Sequence, residues 1–371
     1  MIISIVIILV LVICIYLLLN FYAPLGASQS SARRREFSQS NNYEGKSFIN
    51  AIPTTMGVAS SSKERMSLMA DFIKGNPNSR PRKPLEIIPL SENHFAAGDK
   101  PRLTWFGHSA SLLQLDGKTI LLDPMFGRAP SPVSFIGGKR YSKKLPFEIE
   151  QLPIIDAVII SHDHYDHLDY GSIVKLKSRV KRFIVPLGVA PHLVKWGIEP
   201  AIITEHDWWD ELSYEGIQLV CTPARHFSGR SLTDRNATLW CSWVINGQSA
   251  NIFFSGDSGY GPHFKEIGEK YGPFDLTLME CGQYNKHWES IHMFPEQTVQ
   301  AHMDVRGEVM IPIHWGAFTL SLHDWTDPVE RVVRAAKERN INIATPRIGE
   351  AVQIGATSYP VEEWWNKQGS D

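Results

Sequence analysis

An apolar strand runs directly into four potential metal ligands within residues 156–170, DAVIISHDHYDHLDY. Residues two apart in an extended chain point to the same side, so His162 and His164 can bind one metal ion. The turn that follows presents Asp166 and His167 to a second ion nearby. A lone histidine is more often structural, but four donors this dense at the end of a strand predict a metal site.

Three later strands also end in residues that bind metals. His226 lies in TPARHFSGR, Asp257 in FFSGDSGY and His314 in MIPIHWG. Each follows an apolar run and precedes a loop containing Gly or Ser, where the rim of an active site is expected. The seven predicted ligands form two sets joined by a bridging carboxylate: His162, His164 and His226 for the first ion, Asp166, His167 and His314 for the second, and Asp257 between them.

The donor types indicate the metal and the chemistry. Imidazole and carboxylate ligands suit zinc, with manganese or ferrous iron as alternatives. A water or hydroxide shared by two cations would be acidified and made nucleophilic at neutral pH. We therefore expect two Zn²⁺ per chain and count Asp166 and Asp257 as catalytic residues as well as ligands. The same cations would serve a phosphodiester, a lactone or a β-lactam, so the ligands predict hydrolysis and leave the substrate open.

The rest of the pattern predicts an α/β protein. From Leu103 onward, short apolar runs separated by Gly, Pro and Asp alternate with stretches of helical spacing, such as residues 263–271 and 295–304. This alternation indicates sheets covered on the outside by helices. We predict four segments along the chain: a transmembrane anchor at 1–22, a polar linker at 23–42, an N-terminal arm at 43–100 and the hydrolase domain at 101–360.

The N-terminus is strongly apolar. Residues 2–19 carry no charge, which is long enough to cross a bilayer as a helix. Nothing basic precedes the run and it is longer than the apolar core of a secretory signal, so it predicts an uncleaved anchor. The positive charges of residues 33–35 follow the span, and by the positive-inside rule they predict a single-pass membrane protein with a cytoplasmic catalytic domain.

The charge balance argues against nucleic acid as a partner. The chain has 37 Lys plus Arg against 39 Asp plus Glu, for a net charge of −2. Such a chain offers no overall basic surplus to replace the counterions of a phosphate backbone. The expected partners are the substrate and a membrane, and the sequence leaves the oligomeric state open.

Four segments carry a resemblance to a known family: WFGHSASLLQLDGKTILLDPMF (105–126), PARHFSGRSLTDRNATLWCSW (223–243), GDSGYGPHFKEIGEKYGPFDL (256–276) and IHMFPEQTVQAHMDVRGEVMIPIHWGAF (291–318). With the HxHxDH motif and the later His, Asp and His in that order, the chain resembles the metallo-β-lactamase superfamily. Within it, the chain looks like the N-acyl-phosphatidylethanolamine-hydrolysing phospholipases D and their bacterial relatives. The likeness spans residues 43–330 and includes loops between the ligands.

The resemblance implies an αββα sandwich with a two-zinc site at one edge. It also implies cleavage of a phosphodiester by a metal-activated hydroxide that attacks phosphorus. For a lipid substrate, the products would be phosphatidic acid and an N-acylethanolamine. The chain departs from the family pattern at Ile291, where the family has a polar residue, and in residues 282–288, GQYNKHW.

Further residues are candidates for contact with the substrate. His292 is retained from the family pattern, and we predict that it positions the substrate or donates a proton near the leaving oxygen. The alternative is a surface histidine at the edge of a helix. Arg230 and Lys286 are candidate phosphate contacts, and the alternative for each is a solvated charge.

Three more residues are candidates for supporting roles. Asp123 and Asp169 would orient metal-bound histidines, or would cap turns at strand ends. His108 in WFGHSA would line the site or hold its own turn. We do not count it as a ligand, because seven residues already fill both sets.

The leading functional hypothesis is a membrane-anchored zinc hydrolase of the phospholipase D type. A second hypothesis is a lactonase or sugar-phosphate hydrolase of the same fold, which turnover of a soluble lactone would select. A third is a catalytically silent membrane scaffold, against which the complete set of ligands argues.

Overall fold

The structure is a computed structural model that describes residues 4, 6–10, 21–55, 62–95, 98, 100–133, 135 and 137–368. Within this part of the chain, two seven-stranded sheets and one two-stranded hairpin are flanked by helices. The strands are β1 (Tyr43–Glu44), β2 (Ser47–Phe48), β3 (Arg102–Trp105), β4 (Ser111–Leu115), β5 (Lys118–Leu122), β6 (Ala157–Ile159), β7 (Phe183–Pro186), β8 (Ile203–His206), β9 (Glu211–Tyr214), β10 (Ile217–Thr222), β11 (Ser242–Asn246), β12 (Asn251–Phe254), β13 (Phe274–Glu280), β14 (Gly307–Ile313), β15 (Asn342–Ile343) and β16 (Ala351–Gln353). The α-helices are α1 (Ser31–Phe37), α2 (Ser62–Lys74), α3 (Tyr170–Leu176), α4 (Ala190–Lys195), α5 (His263–Tyr271), α6 (Pro295–Asp304) and α7 (Asp327–Glu338).

Each sheet is half antiparallel and half parallel. Sheet one has the order β16-β3-β4-β5-β6-β7-β8, antiparallel up to β5 and parallel from β5 to β8. Sheet two has the order β15-β14-β13-β12-β11-β10-β9, parallel up to β12 and antiparallel from there. The predicted α/β class is therefore confirmed, and the structure adds that both sheets are mixed.

The strands of sheet one bury side chains on both faces. Leu113 and Ile159 belong to the large core that also contains Leu278 of sheet two. Their neighbours Leu112 and Val158 point the other way, into a second core formed with helices α3 and α4. Helices α6 and α7 contribute buried residues to the large core from the side of sheet two. The layers are thus helices, sheet one, sheet two and helices.

The topology brings chemically active residues to one edge. Strands β12, β13 and β14 are parallel neighbours in sheet two, so their carboxyl ends lie together. In sheet one, β5 and β6 are also parallel, so Asp123 after β5 lies beside the turn that follows β6. Ligands of such sheets bind beyond the carboxyl ends of the strands. Six of the seven predicted ligands follow strands that have a parallel neighbour. The seventh, His226, follows β10, which is antiparallel to both neighbours but runs in the same direction as β12.

The segment predicted as a polar linker, residues 23–42, packs on the domain instead. It contains helix α1, whose Phe37 is buried in the core. The backbone N–H of Ala27 donates to His192 Nδ1 at 2.8 Å, and the Gln29 amide donates to the carbonyl of Gly188 at 2.7 Å. The Asn42 amide also donates to Asp207 Oδ1 at 2.9 Å, so the segment is bonded to the domain at several points. The segment boundaries along the chain stay a prediction.

The predicted location is wrong. The sequence predicts a single-pass membrane protein, but no helix in the described part of the chain is long and apolar enough to cross a membrane. A span requires about 20 apolar residues, whereas α2, the longest helix given above, has 13. Of the predicted span at 2–19, residues 4 and 6–10 are described and helical, and the others lie outside the described residues.

Candidate metal centre

The structure brings the predicted ligands of both sheets together around one carboxylate oxygen. Asp257 Oδ2 lies 3.1 Å from Nε2 of both His167 and His314. The same oxygen lies 3.8 Å from Nε2 of both His162 and His226. One carboxylate oxygen therefore faces imidazole nitrogens from both predicted sets, as a bridging ligand would.

The remaining two predicted ligands complete the two sets. His164 Nδ1 lies 2.9 Å from His162 Nε2 and 3.2 Å from His226 Nε2. Asp166 Oδ2 lies 3.3 Å from His314 Nε2 and 3.5 Å from His167 Nε2. Each set offers ligand atoms that all lie within 4.8 Å of one another. The structure therefore collects all seven residues that the sequence predicts.

The hydrogen bonds of two histidines show which nitrogen faces the centre. His226 Nδ1 lies 2.9 Å from the carbonyl of Ile291, and His314 Nδ1 lies 3.3 Å from the carbonyl of Gly282. A carbonyl only accepts hydrogen bonds, so Nδ1 carries the proton in both rings. Each Nε2 is then left with a lone pair directed at the centre.

Two further histidines are held in the same way from sheet one. His167 Nδ1 donates to Asp123 Oδ2 at 2.6 Å. The Ser161 hydroxyl also donates to Asp123 Oδ2 and lies 2.9 Å from His162 Nδ1, from which its oxygen accepts. Asp123 therefore orients both rings, directly and through Ser161, which is how carboxylates support metal-bound histidines.

The electrostatics of the first set favour neutral ligands. Burial lowers the pKa of His162, His164 and His226, and neighbouring imidazoles lower the pKa of each further. Neutral imidazole is the form that binds metal ions. These rings are therefore ready to donate lone pairs at neutral pH.

The second set is rich in negative charge. Burial alone lowers the pKa of His314, but the carboxylates of Asp257 and Asp166 raise it to about 10. Burial also lowers the pKa of His167, but nearby carboxylates, Asp257 most strongly, raise it well above its usual value. Burial raises the pKa of Asp166, but His167 and other imidazoles lower it well below its usual value. A divalent cation would replace the protons that the carboxylates otherwise hold on these rings.

Two buried atoms support this fit to a cation. His167 Nε2 and Asp257 Oδ1 are buried and have no hydrogen-bond partner in the described part of the chain. Buried polar atoms without partners are rare in folded proteins and require an explanation. A cation between the carboxylate and the imidazoles would satisfy both atoms, so the donor set fits divalent metal ions of the zinc type.

A cavity of about 330 Å³ opens onto the two sets. His164, Asp166, Asp257 and His314 lie at its base. Its other walls are largely apolar and come from Phe227, Trp288, Ile291 and Leu320. The ring of Phe72 from helix α2 stacks on Trp288 with the centroids 6.1 Å apart. A substrate would therefore meet metal donors at the base and apolar surface on the way in.

Comparison with known proteins decides the family. Residues 118–315 match the model of the beta-lactamase superfamily domain. An uncharacterized protein of Mycobacterium tuberculosis is 41% identical over 349 residues, which cover 92% of this chain and 92% of that protein. The N-acyl-phosphatidylethanolamine-hydrolyzing phospholipase D 1 of Caenorhabditis elegans is 34% identical over 265 residues, covering 67% of this chain and 74% of that enzyme. The chain belongs to the metallo-β-lactamase superfamily.

A solved structure agrees on the fold. The isothiocyanate hydrolase from Delia radicum gut bacteria matches with a TM-score of 0.54 at 22% identity, over 69% of this chain and all of that chain. The family, the fold and the clustered His and Asp donors make this chain a metal-dependent hydrolase of the metallo-β-lactamase fold. The superfamily resemblance and the hydrolase class predicted from sequence are confirmed.

His108 contacts one of the predicted metal ligands directly, which the sequence alone does not show. Its Nε2 lies 2.8 Å from Asp166 Oδ2. Burial, followed by the nearby His314, lowers the pKa of His108 to about 3, so its neutral ring donates the Nε2 hydrogen to the carboxylate. Its backbone N–H also donates to the carbonyl of Trp315 at 2.8 Å. His108 thus holds its turn and orients Asp166.

Sequence reasoning missed Glu280, which is fully buried at the end of β13. Its Oε1 accepts a hydrogen bond from His292 Nδ1 at 2.5 Å, and its other oxygen accepts from the backbone N–H of Ser258. An acid at the end of an apolar strand, FDLTLME, is the same signal that pointed to Asp257 and could have identified it. His292 itself lines the cavity, and its ring stacks on that of His314. The structure therefore places His292 in the site rather than on the outer surface.

Three other candidates lie outside the centre. Asp169 caps helix α3 by accepting from the backbone N–H of Ser172 at 2.7 Å. Arg230 is buried and donates to backbone carbonyls, among them that of Leu168 at 2.8 Å, so its guanidinium is occupied. Lys286 is exposed and does not line the cavity. The geometry favours a structural role for Asp169 and Arg230, and a solvated charge for Lys286.

Proposed function

We propose that this metallo-β-lactamase superfamily protein is a zinc-dependent phosphodiesterase of the phospholipase D type. The proposed substrates are N-acyl-phosphatidylethanolamine-like lipids, and the products are phosphatidic acid and an N-acylethanolamine. The observation that carries the proposal is Asp257 Oδ2, which lies within 3.8 Å of four imidazole nitrogens from both sheets. Such an arrangement suits two cations with a shared bridge.

The proposed centre holds two Zn²⁺ ions, with the seven residues in the sets given above as ligands. When bound, such a pair of cations acidifies a water molecule and neutralises charge that builds on the phosphate oxygens. The carboxylates of Asp166 and Asp257 contact the imidazoles that face them and keep those rings oriented toward the place where the phosphate would react. Every residue of the centre falls within the proposed hydrolase domain, residues 101–360.

The chain's own residues account for the leaving group. Hydrolysis forms a bond between the water oxygen and phosphorus and breaks the bond from phosphorus to the ethanolamine oxygen, which takes up a proton. His292 binds Glu280 through Nδ1, which leaves Nε2 to face the cavity. We propose that this nitrogen positions the leaving oxygen or donates its proton. The hydrogen bond to Glu280 holds the His292 ring in the orientation that this role requires.

Two observations support a lipid substrate. The cavity walls away from the metal donors are largely apolar, and Phe72 extends this surface beyond Trp288. Acyl chains gain free energy by leaving water for such a surface, at about 0.8 kcal/mol per buried CH₂. The Caenorhabditis elegans relative is named as an enzyme that hydrolyses N-acyl-phosphatidylethanolamine.

Mass spectrometry of the products tests the proposal. The zinc-loaded full chain is mixed with N-acyl-phosphatidylethanolamine dispersed in detergent, and an Asp166→Asn variant serves as the control. Phosphatidic acid and free N-acylethanolamine in the wild-type sample alone would support the proposal. Intact lipid in both samples, with zinc bound to the wild type, would reject this substrate, and turnover of a lactone by the same sample would then favour a lactonase.

A further inference from the structure

A second cavity, which we call the basic pocket, lies apart from the metal-lined one. It has a volume of about 620 Å³ and is formed by residues 80–84, 126–128 and 139–145. Eight of its fifteen lining residues are Lys or Arg, and none is Asp or Glu. The whole chain carries a net charge of −2. The lining of this pocket is therefore strongly positive, although the chain as a whole is slightly negative.

Backbone hydrogen bonds fix the three segments of the basic pocket relative to one another. The N–H of Leu85 donates to the carbonyl of Tyr141 at 3.1 Å, and the N–H of Arg140 donates to the carbonyl of Arg128 at 2.8 Å. The hydroxyl of Tyr141 donates to the carbonyl of Ser79 at 2.8 Å. The cations on these segments are thus held on a preformed frame.

Arg140 has the deepest position among these cations. Its guanidinium donates to the carbonyl of Met125 at 2.6 Å and to that of Gly127 at 3.3 Å, and lies over the ring of Phe318. Burial lowers the pKa of Arg140 to about 10, although the field of Asp169 raises it. Within the described residues, Arg140 forms no ion pair with a carboxylate. A charge held this way is stabilised by an anion in the pocket.

Six of the exposed cations around the pocket also lack acidic partners in the part of the chain that the structure describes. Elsewhere on the surface, Lys181 pairs with Asp156 at 2.8 Å, and Arg331 pairs with Glu296 at 2.6 Å. Among the described residues, six cations that line the basic pocket form no ion pair: Arg80, Arg82, Arg128, Lys139, Lys143 and Lys144. Clustered like charges repel one another and reduce the stability of the empty pocket. An anion would relieve that repulsion.

We propose that the basic pocket binds a phosphomonoester group. Such a group carries close to two negative charges and three acceptor oxygens, and the arginine fork matches phosphate oxygens with two parallel hydrogen bonds. The group can come from a soluble phosphate ester or from the head group of phosphatidic acid in a bilayer. The inference concerns a site outside the metal centre and is tested by binding, so it stands or falls independently of the proposed function.

Two probes distinguish the sources. The metal-loaded full chain is titrated with glycerol 3-phosphate in a calorimeter, with glycerol as the blank. In parallel, it is sedimented with phosphatidylcholine vesicles that contain phosphatidic acid or lack it. We expect binding to at least one phosphate-bearing probe, and we expect that binding to weaken as salt screens the charges.

Variants show where the probe binds. Arg80→Ala/Arg82→Ala and Lys143→Ala/Lys144→Ala should each weaken binding at least about tenfold, the scale of a lost charged hydrogen bond. Arg334→Ala/Lys337→Ala on α7 removes two charges elsewhere and should leave binding unchanged. Asp166→Asn should also leave it unchanged, because that residue belongs to the metal centre. At low salt, the melting temperature of the pocket variants should equal or exceed that of the wild type, because repulsion is relieved.

Several results would overturn the proposal. One is the absence of binding to both phosphate-bearing probes. Another is binding that survives in both pocket variants but is lost in Asp166→Asn, which would assign the phosphate to the metal centre. Binding of a single-stranded oligonucleotide without binding of either probe would assign the pocket to nucleic acid instead.

Discussion

The two sheets build the metal centre in different ways. Sheet one supplies four of the seven proposed ligands from a single turn after β6, within residues 162–167. Sheet two supplies the other three singly, His226 after β10, Asp257 after β12 and His314 after β14. The ligands from sheet one are close together in sequence and are positioned by one turn. The ligands from sheet two are far apart in sequence and come together only when several strands pair in the correct register.

The two halves are joined by hydrogen bonds next to the centre. The backbone N–H of Cys241 donates to the carbonyl of Ser161 at 2.9 Å, and the indole N–H of Trp243 donates to the carbonyl of Ile160 at 2.9 Å. Ser161 and Ile160 are the two residues before His162. The centre therefore depends on sheet packing as well as on its ligands, and four substitutions test that dependence.

The largest effect is expected for Asp257→Asn. The amide removes the negative charge that faces imidazoles from both sheets. Hydrolysis should fall by more than the roughly 10–100-fold typical of residues that only support a metal site. Rates and bound zinc are measured on the same sample, and normal zinc content with an activity loss below tenfold would contradict a bridging role.

The next effect is expected for Asp123→Asn, which weakens the support of His167 and of Ser161 in sheet one. Zinc affinity should fall by about 10–100-fold, measured by competition with a chelator. Asn tolerates the positive φ of 39° at this position. Asp156→Asn is the matched control, because Asp156 also accepts a backbone hydrogen bond in sheet one but precedes β6. Equal losses of zinc affinity in both variants would show that Asp123 has no specific role in supporting the metal ligands.

A smaller effect is expected for Glu280→Gln, which keeps the shape but weakens the hold on His292. If His292 assists the leaving oxygen, kcat should fall by several-fold to about a hundredfold for a lipid substrate. A substrate with a nitrophenol leaving group needs no such assistance and should be cleaved almost normally. An equal loss on both substrates would show that Glu280 does not act through the leaving group.

The smallest effect on the centre is expected for Trp243→Phe, which removes a hydrogen bond between the sheets. The free energy of unfolding should fall by about 1–3 kcal/mol from the lost bond and the space left behind. Zinc affinity should fall severalfold. Trp208→Phe removes a similar bond, from an indole N–H to the carbonyl of Trp240, that does not join the sheets. An equal loss of zinc affinity in both variants would argue against coupling through sheet packing.

The ligands could be predicted from sequence because each follows an apolar strand. Helices α5 and α6 were predicted with the bounds that the structure shows, since their spacing is regular. Strands β8 and β9 could not be predicted in this way, because neither contains a fully buried residue and their sequences show no clear apolar pattern.

Features that depend on distant contacts could not be predicted. Residues 237–245, ATLWCSWVI, form one largely apolar run that predicts a single strand, but β11 begins only at Ser242. The preceding residues bond across to sheet one instead, as the N–H of Leu239 does with the carbonyl of Leu187 at 2.8 Å. The basic pocket was also missed, because its cations come from three separate segments and only the fold brings them together.

The metal content of the purified chain shows whether the ligands of the two sheets form one two-metal centre. The chain is loaded with zinc, dialysed against metal-free buffer and measured by inductively coupled plasma mass spectrometry against protein concentration. The expected result is two zinc ions per chain, one for each set of ligands with Asp257 between them. One ion or none after loading would contradict it, because the donors of the two sheets would then not form a shared two-metal centre.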